Sequence, residues 1–488
     1  MKRVICGLLA IMFAIIAQAK TIYVATDGND LADGTIDAPL VTLPAAYKKI
    51  ASGDTIYFRG GTYKITDEQI MKKDNTYAYV FALEKAGTSN KRTCFMGYPG
   101  ERPVFDFSAL QLDGAHRFSA FYLGANYLHL RNFDIVGVPV RIKGHTQSEC
   151  ISAAKGSYCI VENIAMHDGM AIGYYQTSGS NNLVINCDAY NNYDPYSEGE
   201  YGGNVDGFGI HVRHKTDTGN VLRYCRAWRN SDDGFDFINN LAAAEIDHCW
   251  AFYNGYRPTS DPTDTKTFVS AGDGNGFKAG GYGLKANSSC PTPCPVNYVH
   301  HSVSYRNKAH GHYSNHHLGG IRWENNSSWY NRANYNMVNQ KSYTEAVDVD
   351  GYDHILRNNV SFTYTDKGHL INCNASRCTI ENNTFAPAET EFTVTSSMFV
   401  STDPETLFAE RDADGNLPVM NFMRAKAGSI LAEGQMGWAW EENSETSITP
   451  PAVKTIDPKG RRYDLLGRPL TNATKGIYIQ NGKKIAIK

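Results

Sequence analysis

The chain has 488 residues, with 47 Lys+Arg against 50 Asp+Glu and a formal net charge of -3. That balance carries neither the basic excess of a nucleic-acid binder nor the acidic tail of a solvating chain. With 42% hydrophobic and 12% aromatic residues a mainly disordered state is excluded, and 44 Gly and 30 Tyr with abundant Asn favour a turn-rich β protein.

Residues 1–19 read as a secretory signal. Lys2 and Arg3 form its charged start, Val4 to Ala17 its apolar stretch, and Ala17-Gln18-Ala19 a small-x-small cleavage site. The apolar run is too short for a membrane span and no similar run follows, so a secreted or periplasmic protein with no membrane span is predicted. Ten of the 11 cysteines then remain, in a compartment that permits disulfides. Cys290 with Cys294, and Cys373 with Cys378, are spaced for local staples.

Residues 20–54 read as an N-terminal cap. Ile22-Tyr-Val-Ala25 is a strand, and Thr42 to Ile50 a short amphipathic helix with Thr42 as its N-cap. The stretch resembles the cap of many secreted β-helix proteins that act on polysaccharides.

Residues 55–450 read as the catalytic domain, built on an internal repeat that fades after about residue 400 and is clearest at Asn186-Cys-Asp-Ala-Tyr-Asn-Asn192, Tyr224-Cys-Arg-Ala-Trp-Arg-Asn230, His248-Cys-Trp-Ala-Phe-Tyr-Asn254 and His301-Ser-Val-Ser-Tyr-Arg-Asn307. Taking the second position of each copy gives Asn132, Asn163, Cys187, Cys225, Cys249, Ser302, Ser327, Asn359 and Asn382. Their separations are 31, 24, 38, 24, 53, 25, 32 and 23, a base period of about 24 with insertions. A coil that short has no room for two helices, and its alternating β-branched and aromatic segments are strands. The predicted fold is all-β, a right-handed parallel β-helix with an N-terminal cap helix. Residues 451–488 form a separate β-hairpin tail with a tight turn at Asn481-Gly482. It resembles the short tail of many exported proteins, and no catalytic role is expected for it.

A second ladder carries the chemistry: Asp168-Gly-Met-Ala171, Asp206-Gly-Phe-Gly209, Asp233-Gly-Phe-Asp236, Asn275-Gly-Phe-Lys278 and His310-Gly-His-Tyr313. Stacked coils lie about 4.8 Å apart, so Asp206 neighbours Asp233 and Asp236 neighbours Lys278. Phe208, Phe235 and Phe277 then point inward, and Asp236 and Lys278 outward on one face. With Asp232, four carboxylates converge. They repel unless a hard cation joins them, and Ca²⁺ suits a flexible, carboxylate-rich set better than Mg²⁺. A solvated Asp-Gly turn ladder is the structural alternative. A lysine beside such a set is placed to abstract the proton α to a carboxylate whose charge the cation neutralises, which is β-elimination on a uronic acid.

These segments, Asp206-Gly-Phe-Gly209, Ser231-Asp-Asp-Gly-Phe-Asp236 and Gly274-Asn-Gly-Phe-Lys278, resemble polysaccharide lyase family 9, the pectin-cleaving lyases with a right-handed β-helix. The resemblance covers residues from about 22 to about 440. It implies that Asp206, Asp232, Asp233 and Asp236 hold a catalytic Ca²⁺ and that Lys278 is the base. The implied function is cleavage of the pectin backbone at O4 of galacturonic acid, on an acidic pectic polysaccharide, by a monomer.

Two other readings use the same fold. Asn204-Val-Asp206, Asp232-Asp233 and His310-Gly-His312 loosely resemble the inverting polygalacturonases, which hydrolyse with paired aspartates. Here 77 residues separate Asp233 from His310, no Arg-x-Lys follows His310, and Asp236 and Lys278 would have no role. A non-catalytic glycan-binding adhesin needs neither a base nor a metal set. The histidines His300, His301, His310, His312, His316 and His317 fit no known ligand spacing and are read as lying on turns beside the cleft. Insertions bearing Tyr193, Tyr196, Tyr201, Tyr256 and Tyr282 flank the site. Their aromatic faces favour rhamnogalacturonan I, whose deoxy sugar has an apolar face, over homogalacturonan.

Overall fold

The computed structural model describes residues 19–439 apart from 113–115, 145, 197–201, 259–266, 287–289, 364–367 and 386–392, together with strands at 462–463, 469–470, 476–480 and 483–487. The predicted signal up to residue 18 and Tyr201 lie outside the described residues. The chain divides into two compact units, Met1–Glu441 and Glu442–Lys488.

Among the described residues of the first unit, nearly all strands fall into one sheet of 20 strands and one of 11. Pairing within both is parallel almost throughout, and each strand lies on its equivalent in the next coil. Leu183–Ile185 stacks on Asn220–Arg223, then Ala244–Asp247, then Tyr298–His300. Asp188–Tyr190 stacks in step on Arg226–Trp228, Trp250–Phe252 and Val303–Tyr305. This is a parallel β-helix. Its first rungs are Thr21–Val24 on Thr55–Phe58, capped by the helix Leu43–Lys49. Thr42 is the N-cap, its Oγ1 accepting from Ala45 N at 3.3 Å.

The repeat motif marks the corner between the two strands of the large sheet. Asn186, Tyr224, His248, His301, Asn325, Asn358 and Asn382 occupy it with φ between 49° and 57°. That left-handed corner is sterically costly for β-branched residues and is enriched in Asn and His. The next residue points inward and accepts from the coil before it. Cys225 N donates to Cys249 Sγ, Cys249 N to Ser302 Oγ, Ser302 N to Asn326 Oδ1, Asn326 N to Asn359 Oδ1 and Asn359 N to Asn383 Oδ1.

Four of the nine predicted positions are therefore displaced by one residue. Asn326 and Asn383 take the inward place, each one residue away from the aligned second positions Ser327 and Asn382. At the start of the stack, Asn132 and Asn163 are the corner residues, and Phe133 pairs with Ile164 inside. The slip arises because Asn325-Asn326 and Asn382-Asn383 are doublets in which either residue fits either place.

A second inward ladder, Asn192, Asn230, Asn254, Asn307 and Asn331, joins successive coils amide to amide at 2.9 to 3.2 Å. These asparagines close the repeat segments recognised in the sequence, and all but Asn331 are fully buried. Buried amides bonded in this way avoid the penalty of unsatisfied polar groups inside the stack.

Beyond the last coils the chain returns along the large sheet. Phe399, Leu407, Phe422 and Trp438 cover Trp228, Trp250, Phe252, Tyr305, Trp329 and Phe362 in a second apolar core. The returning segment is fixed by charge as well. Arg411 and Arg226 both bind the buried Asp188, each with an N–O contact of 2.7 Å. In the sequence the repeat fades after about residue 400, and nothing in this segment's own pattern shows where it packs. In the second unit, strands Gly476–Gln480 and Lys483–Ile487 pair antiparallel with Gln480 opposite Lys483, the register of a hairpin.

Candidate active site

The site lies on the 11-stranded sheet, whose consecutive rungs include Ile172–Gln176, Phe208–Ile210, Phe235–Asp236, Phe277–Lys278, His310–Tyr313 and Ala333–Asn336. Phe208 pairs with Phe235, Phe235 with Phe277, and Phe277 with His312. The rings stack inward at centroid distances of 5.1, 4.9 and 5.1 Å, and Tyr335 continues the column on His312 at 4.6 Å. Because side chains alternate across a strand, the partners Gly209, Asp236, Lys278 and Tyr313 form the outward row. This is the register the motif spacing predicts for these four rungs.

The glycine of each motif is required by space. A Cβ at Gly234 would lie 2.8 Å from both Asn254 Nδ2 and Gly276 O, and one at Gly276 would lie 2.7 Å from Gly311 O. The asparagine ladder and the next coil's backbone therefore press against the rung that carries the carboxylates.

The first predicted member does not belong to the row. Asp168 sits at a corner with φ 51°, bound to His167 and Asn191, and the rung below Phe208 is centred on Tyr174. An Asp-Gly pair also suits a tight corner, which is why the pattern alone misplaced it.

Oxygens of Asp206, Asp233 and Asp236 lie within 4.8 Å of one another, as do those of Asp232, Asp233 and Asp273. Asp233 is common to both sets and fully buried. Its Oδ1 accepts from Asn275 N and Nδ2 at 2.6 and 2.8 Å, and its Oδ2 faces Lys278 Nζ at 3.0 Å. Lys278 Nζ also meets Asp236 Oδ2 at 3.2 Å and Asp273 Oδ2 at 4.0 Å. Asp206 Oδ1 accepts from Asp233 N at 3.1 Å, Asp232 Oδ1 from Asp273 N at 2.6 Å, and Asp236 Oδ1 from Ile238 N at 2.7 Å. Backbone donors thus aim each carboxylate, and Lys278 is their internal counter-ion.

Electrostatics follow from this crowding. Burial, and then the charges of Asp236, Asp232 and Asp233, push the Asp206 carboxyl well above the usual range. Asp232 is raised by burial and by Asp233. Asp233 is raised by burial to about 6, with Lys278 opposing. Burial disfavours the Lys278 ammonium, but Asp233, Asp236, Asp232 and Asp206 outweigh it and hold the proton firmly. A buried, all-oxygen set with more carboxylates than one lysine neutralises fits a hard divalent cation.

Two residues were missed from sequence. Asp273, its side chain 74% exposed, adds a carboxylate at the rim two residues before Asn275. His211, two residues after Gly209, places Nε2 3.2 Å from Asp236 O and packs edge-on against Tyr175. Both flank motifs already recognised, so that flanking position was the available signal.

The histidines do not form one group. His310 lies on the site's sheet, its Nε2 3.0 Å from Asn336 Nδ2, whereas His312 is inside the stack. His317 is buried beside Tyr282 and Pro295 O, and His316 bonds Asp348. His300 and His301 belong to the large sheet and its corner, not to the cleft. Tyr282, expected as an exposed platform, is 3% exposed in a small core with Cys290 and Leu318. Cys290 and Cys294 are neighbouring thiols with Sγ atoms 2.8 Å apart, and those of Cys373 and Cys378 are 3.8 Å apart.

The family described as "Pel9A-like, right handed beta helix region" matches residues 22–348. The chain belongs to this family, polysaccharide lyase family 9. Pectate lyase L of Dickeya dadantii (strain 3937) is 31% identical to this family 9 chain over 418 residues, 85% of this chain and 86% of that protein. Among solved structures, a rhamnogalacturonan lyase superposes with a TM-score of 0.80 at 40% identity, covering 86% of this chain and 100% of its own. The crystal structure of pectate lyase Pel9A superposes with a TM-score of 0.62 at 27% identity, covering 85% and 91%. The family 9 chain is a polysaccharide lyase with a right-handed parallel β-helix, which sets aside the hydrolase and adhesin readings.

Proposed function

We propose that this lyase is calcium-dependent and cleaves the backbone of rhamnogalacturonan I at O4 of galacturonic acid. The observation that carries the reading is the convergence of the Asp206, Asp233 and Asp236 oxygens from neighbouring coils, with Lys278 Nζ of the next coil against Asp233 and Asp236. Asp206, Asp233 and Asp236 would hold the Ca²⁺, with Asp232 joining through the oxygens it shares with Asp233. When bound, the ion neutralises the uronate carboxylate and makes the proton on C5 more acidic.

Lys278 then accepts that C5 proton. The electron pair of the C5–H bond forms the C4=C5 double bond, the C4–O4 bond breaks, and the departing oxygen takes a proton from water. A base must begin neutral. In this chain the carboxylates that hold the Lys278 proton, Asp233 and Asp236, are the same ones that would hold the cation, and a cation there would weaken their hold on that proton. Tyr313 follows Lys278 in the outward row and Asn336 follows Tyr313, which supplies polar surface along the direction a chain would lie.

The choice of rhamnogalacturonan rests on the solved rhamnogalacturonan lyase at 40% identity and on aromatic residues in the insertions. Tyr193 lies under the Arg257 guanidinium at 5.2 Å, and Tyr256 packs on Phe268 at 4.9 Å. No helix among the described residues is long and apolar enough to cross a membrane, and we read the protein as exported after loss of residues 1–19 and acting as a monomer. Incubation with purified rhamnogalacturonan I and homogalacturonan backbones, followed by absorbance of the unsaturated product, tests the reading. Product from rhamnogalacturonan I is expected. Product from homogalacturonan alone would make it a polygalacturonate lyase, and none from either would remove the pectic assignment.

A further inference from the structure

The corner of the large sheet brings together groups that the lyase reaction does not use. Arg223, Asp247 and His300 are stacked partners on three successive coils, and His248 and His301 are the corner residues that follow Asp247 and His300. His300 Nδ1 lies 2.8 Å from His301 Nδ1 and 3.4 Å from Asp247 Oδ1. Two ring nitrogens that close share at most one proton between them, so one presents a lone pair to the other.

The outer contacts fix which atoms face the common space. Glu245 Oε1 sits 3.2 Å from His300 Nε2 and favours the tautomer with the proton there, which leaves Nδ1 as the lone-pair atom. Arg223 Nε donates to Asp247 Oδ2 at 2.5 Å, and His248 Nδ1 contacts Asp247 Oδ1 at 2.5 Å, so the carboxylate is held from both sides. A carboxylate on the far nitrogen of a histidine is the outer support that metal-binding histidines carry.

We infer that Asp247, His300 and His301 form a second metal site, independent of the carboxylate ladder and selective for a divalent transition ion of the Zn²⁺, Ni²⁺ or Cu²⁺ type. The geometry suits such an ion. With metal–ligand bonds of about 2.05–2.1 Å, the 2.8 Å and 3.4 Å separations subtend about 86° and about 110°, within the range of coordinated ligands. Imidazole nitrogens with one carboxylate select these ions over Ca²⁺ and Mg²⁺, which take oxygen. The His300 side chain is 12% exposed, which leaves room for entry and for water as a further ligand.

The site's position gives it a structural task. Between Asp247 and His300 runs the longest coil, with 53 residues from Cys249 to Ser302, and that coil carries Lys278. An ion bound by Asp247 below and His300 and His301 above would clip the two ends of this coil together, where closing a long loop stabilises most.

The test uses the purified full-length chain stripped of metal. Titration with Co²⁺ should give the visible d–d absorption of nitrogen-ligated cobalt at one equivalent. Zn²⁺ should displace the cobalt and raise Tm, and excess Ca²⁺ should do neither. The double change His300→Ala with His301→Ala should abolish both signals, Glu245→Gln should weaken Zn²⁺ binding about 10–100-fold, and Asp233→Asn should leave it unchanged. If the double variant does not fold, the wild-type cobalt spectrum and stoichiometry still decide. Absence of a cobalt band at one equivalent, or Zn²⁺ uptake that survives the double change, would overturn the site whether or not the enzyme needs Ca²⁺.

Discussion

Lys278 Nζ stands 3.0 Å from Asp233 Oδ2, so the lysine of one coil is neutralised by an aspartate of the coil beneath it. Asp236, its direct rung partner, holds it from a second side at 3.2 Å. The carboxylates that hold the lysine's proton are thus the same ones proposed to take the cation. A side chain 9% exposed and held in this way is fixed in place, as the proposed proton acceptor must be.

Lys278→Ala should therefore leave the carboxylates and the cleft in place while removing the acceptor. A drop in kcat of ~10²–10⁴-fold is expected, with substrate affinity largely kept. Lys285→Ala is the parallel control: its backbone carbonyl accepts from Gln340 Nε2, and its side chain has no counterpart in the ladder. Steady-state kinetics on both variants decide the matter. Near-normal turnover in Lys278→Ala beside a dead Lys285→Ala would remove Lys278 from the reaction.

Asp233→Ala and calcium chelation should act alike. Each removes the common member of the two carboxylate sets, or its ion, without touching the Phe208, Phe235, Phe277 column. Activity should vanish, return on adding Ca²⁺ to the chelated wild type, and not return in the variant. Circular dichroism should stay that of a folded β protein. Full activity in excess chelator, with no calcium found in the protein, would end the calcium assignment.

Much of this site was legible because β-helix rungs convert sequence spacing into spatial adjacency. Asp206, Asp233, Asp236 and Lys278 follow glycine motifs whose phenylalanines announce the inward face, and the observed register places them together. Asp168 failed because a corner and a rung both tolerate Asp-Gly. Asn325-Asn326 failed by one residue because both places favour asparagine. The returning segment from Phe399 to Trp438 left no trace of its path, since its apolar residues face a sheet distant in sequence and follow no period. Asp188 likewise carried no signal of its own inside a repeat segment read as a strand, although two arginines, one from residue 411, neutralise its buried charge.

That cluster makes a prediction about acid. Burial would raise the Asp188 carboxyl, but Arg226 and Arg411 overcome it and hold it well below the usual range. A depressed folded value contributes stability that is present above the unfolded pKa of about 4 and is lost as pH falls toward the folded one. Asp188→Asn leaves two buried guanidinium groups without their anion and should cost about 3–5 kcal/mol at neutral pH. Thermal melts should show the gap between wild type and variant narrowing below about pH 4. A constant gap from pH 7 to pH 2 would mean the carboxylate charge is not what secures the returning segment.

Gly234 links the fold to the chemistry most directly. It follows Asp233 and precedes Phe235, and an added Cβ would meet Asn254 Nδ2 and Gly276 O at 2.8 Å and Ala251 Cβ at 3.1 Å. None of these is the free end of a flexible chain. Asn254 is bonded to Asn307 Oδ1 at 2.9 Å and to Ala227 O at 3.0 Å, and Gly276 O belongs to the next rung's backbone. The methyl can be accommodated only by lifting the rung or breaking the amide ladder, so Gly234→Ala should cost about 1–3 kcal/mol as an overpacked core does. Lifting the rung also moves Asp233 relative to Lys278 and Asp206, so the Ca²⁺ concentration for half-maximal activity should rise together with the loss of Tm. Gly209→Ala is the matched outward control, since the nearest atoms to its Cβ would be those of the Tyr175 ring at 3.0 Å and His211 Nε2 at 3.3 Å. Its Tm should fall less than that of Gly234→Ala. Wild-type calcium dependence in a destabilised Gly234→Ala enzyme would show that the carboxylates hold their positions without the ladder behind them.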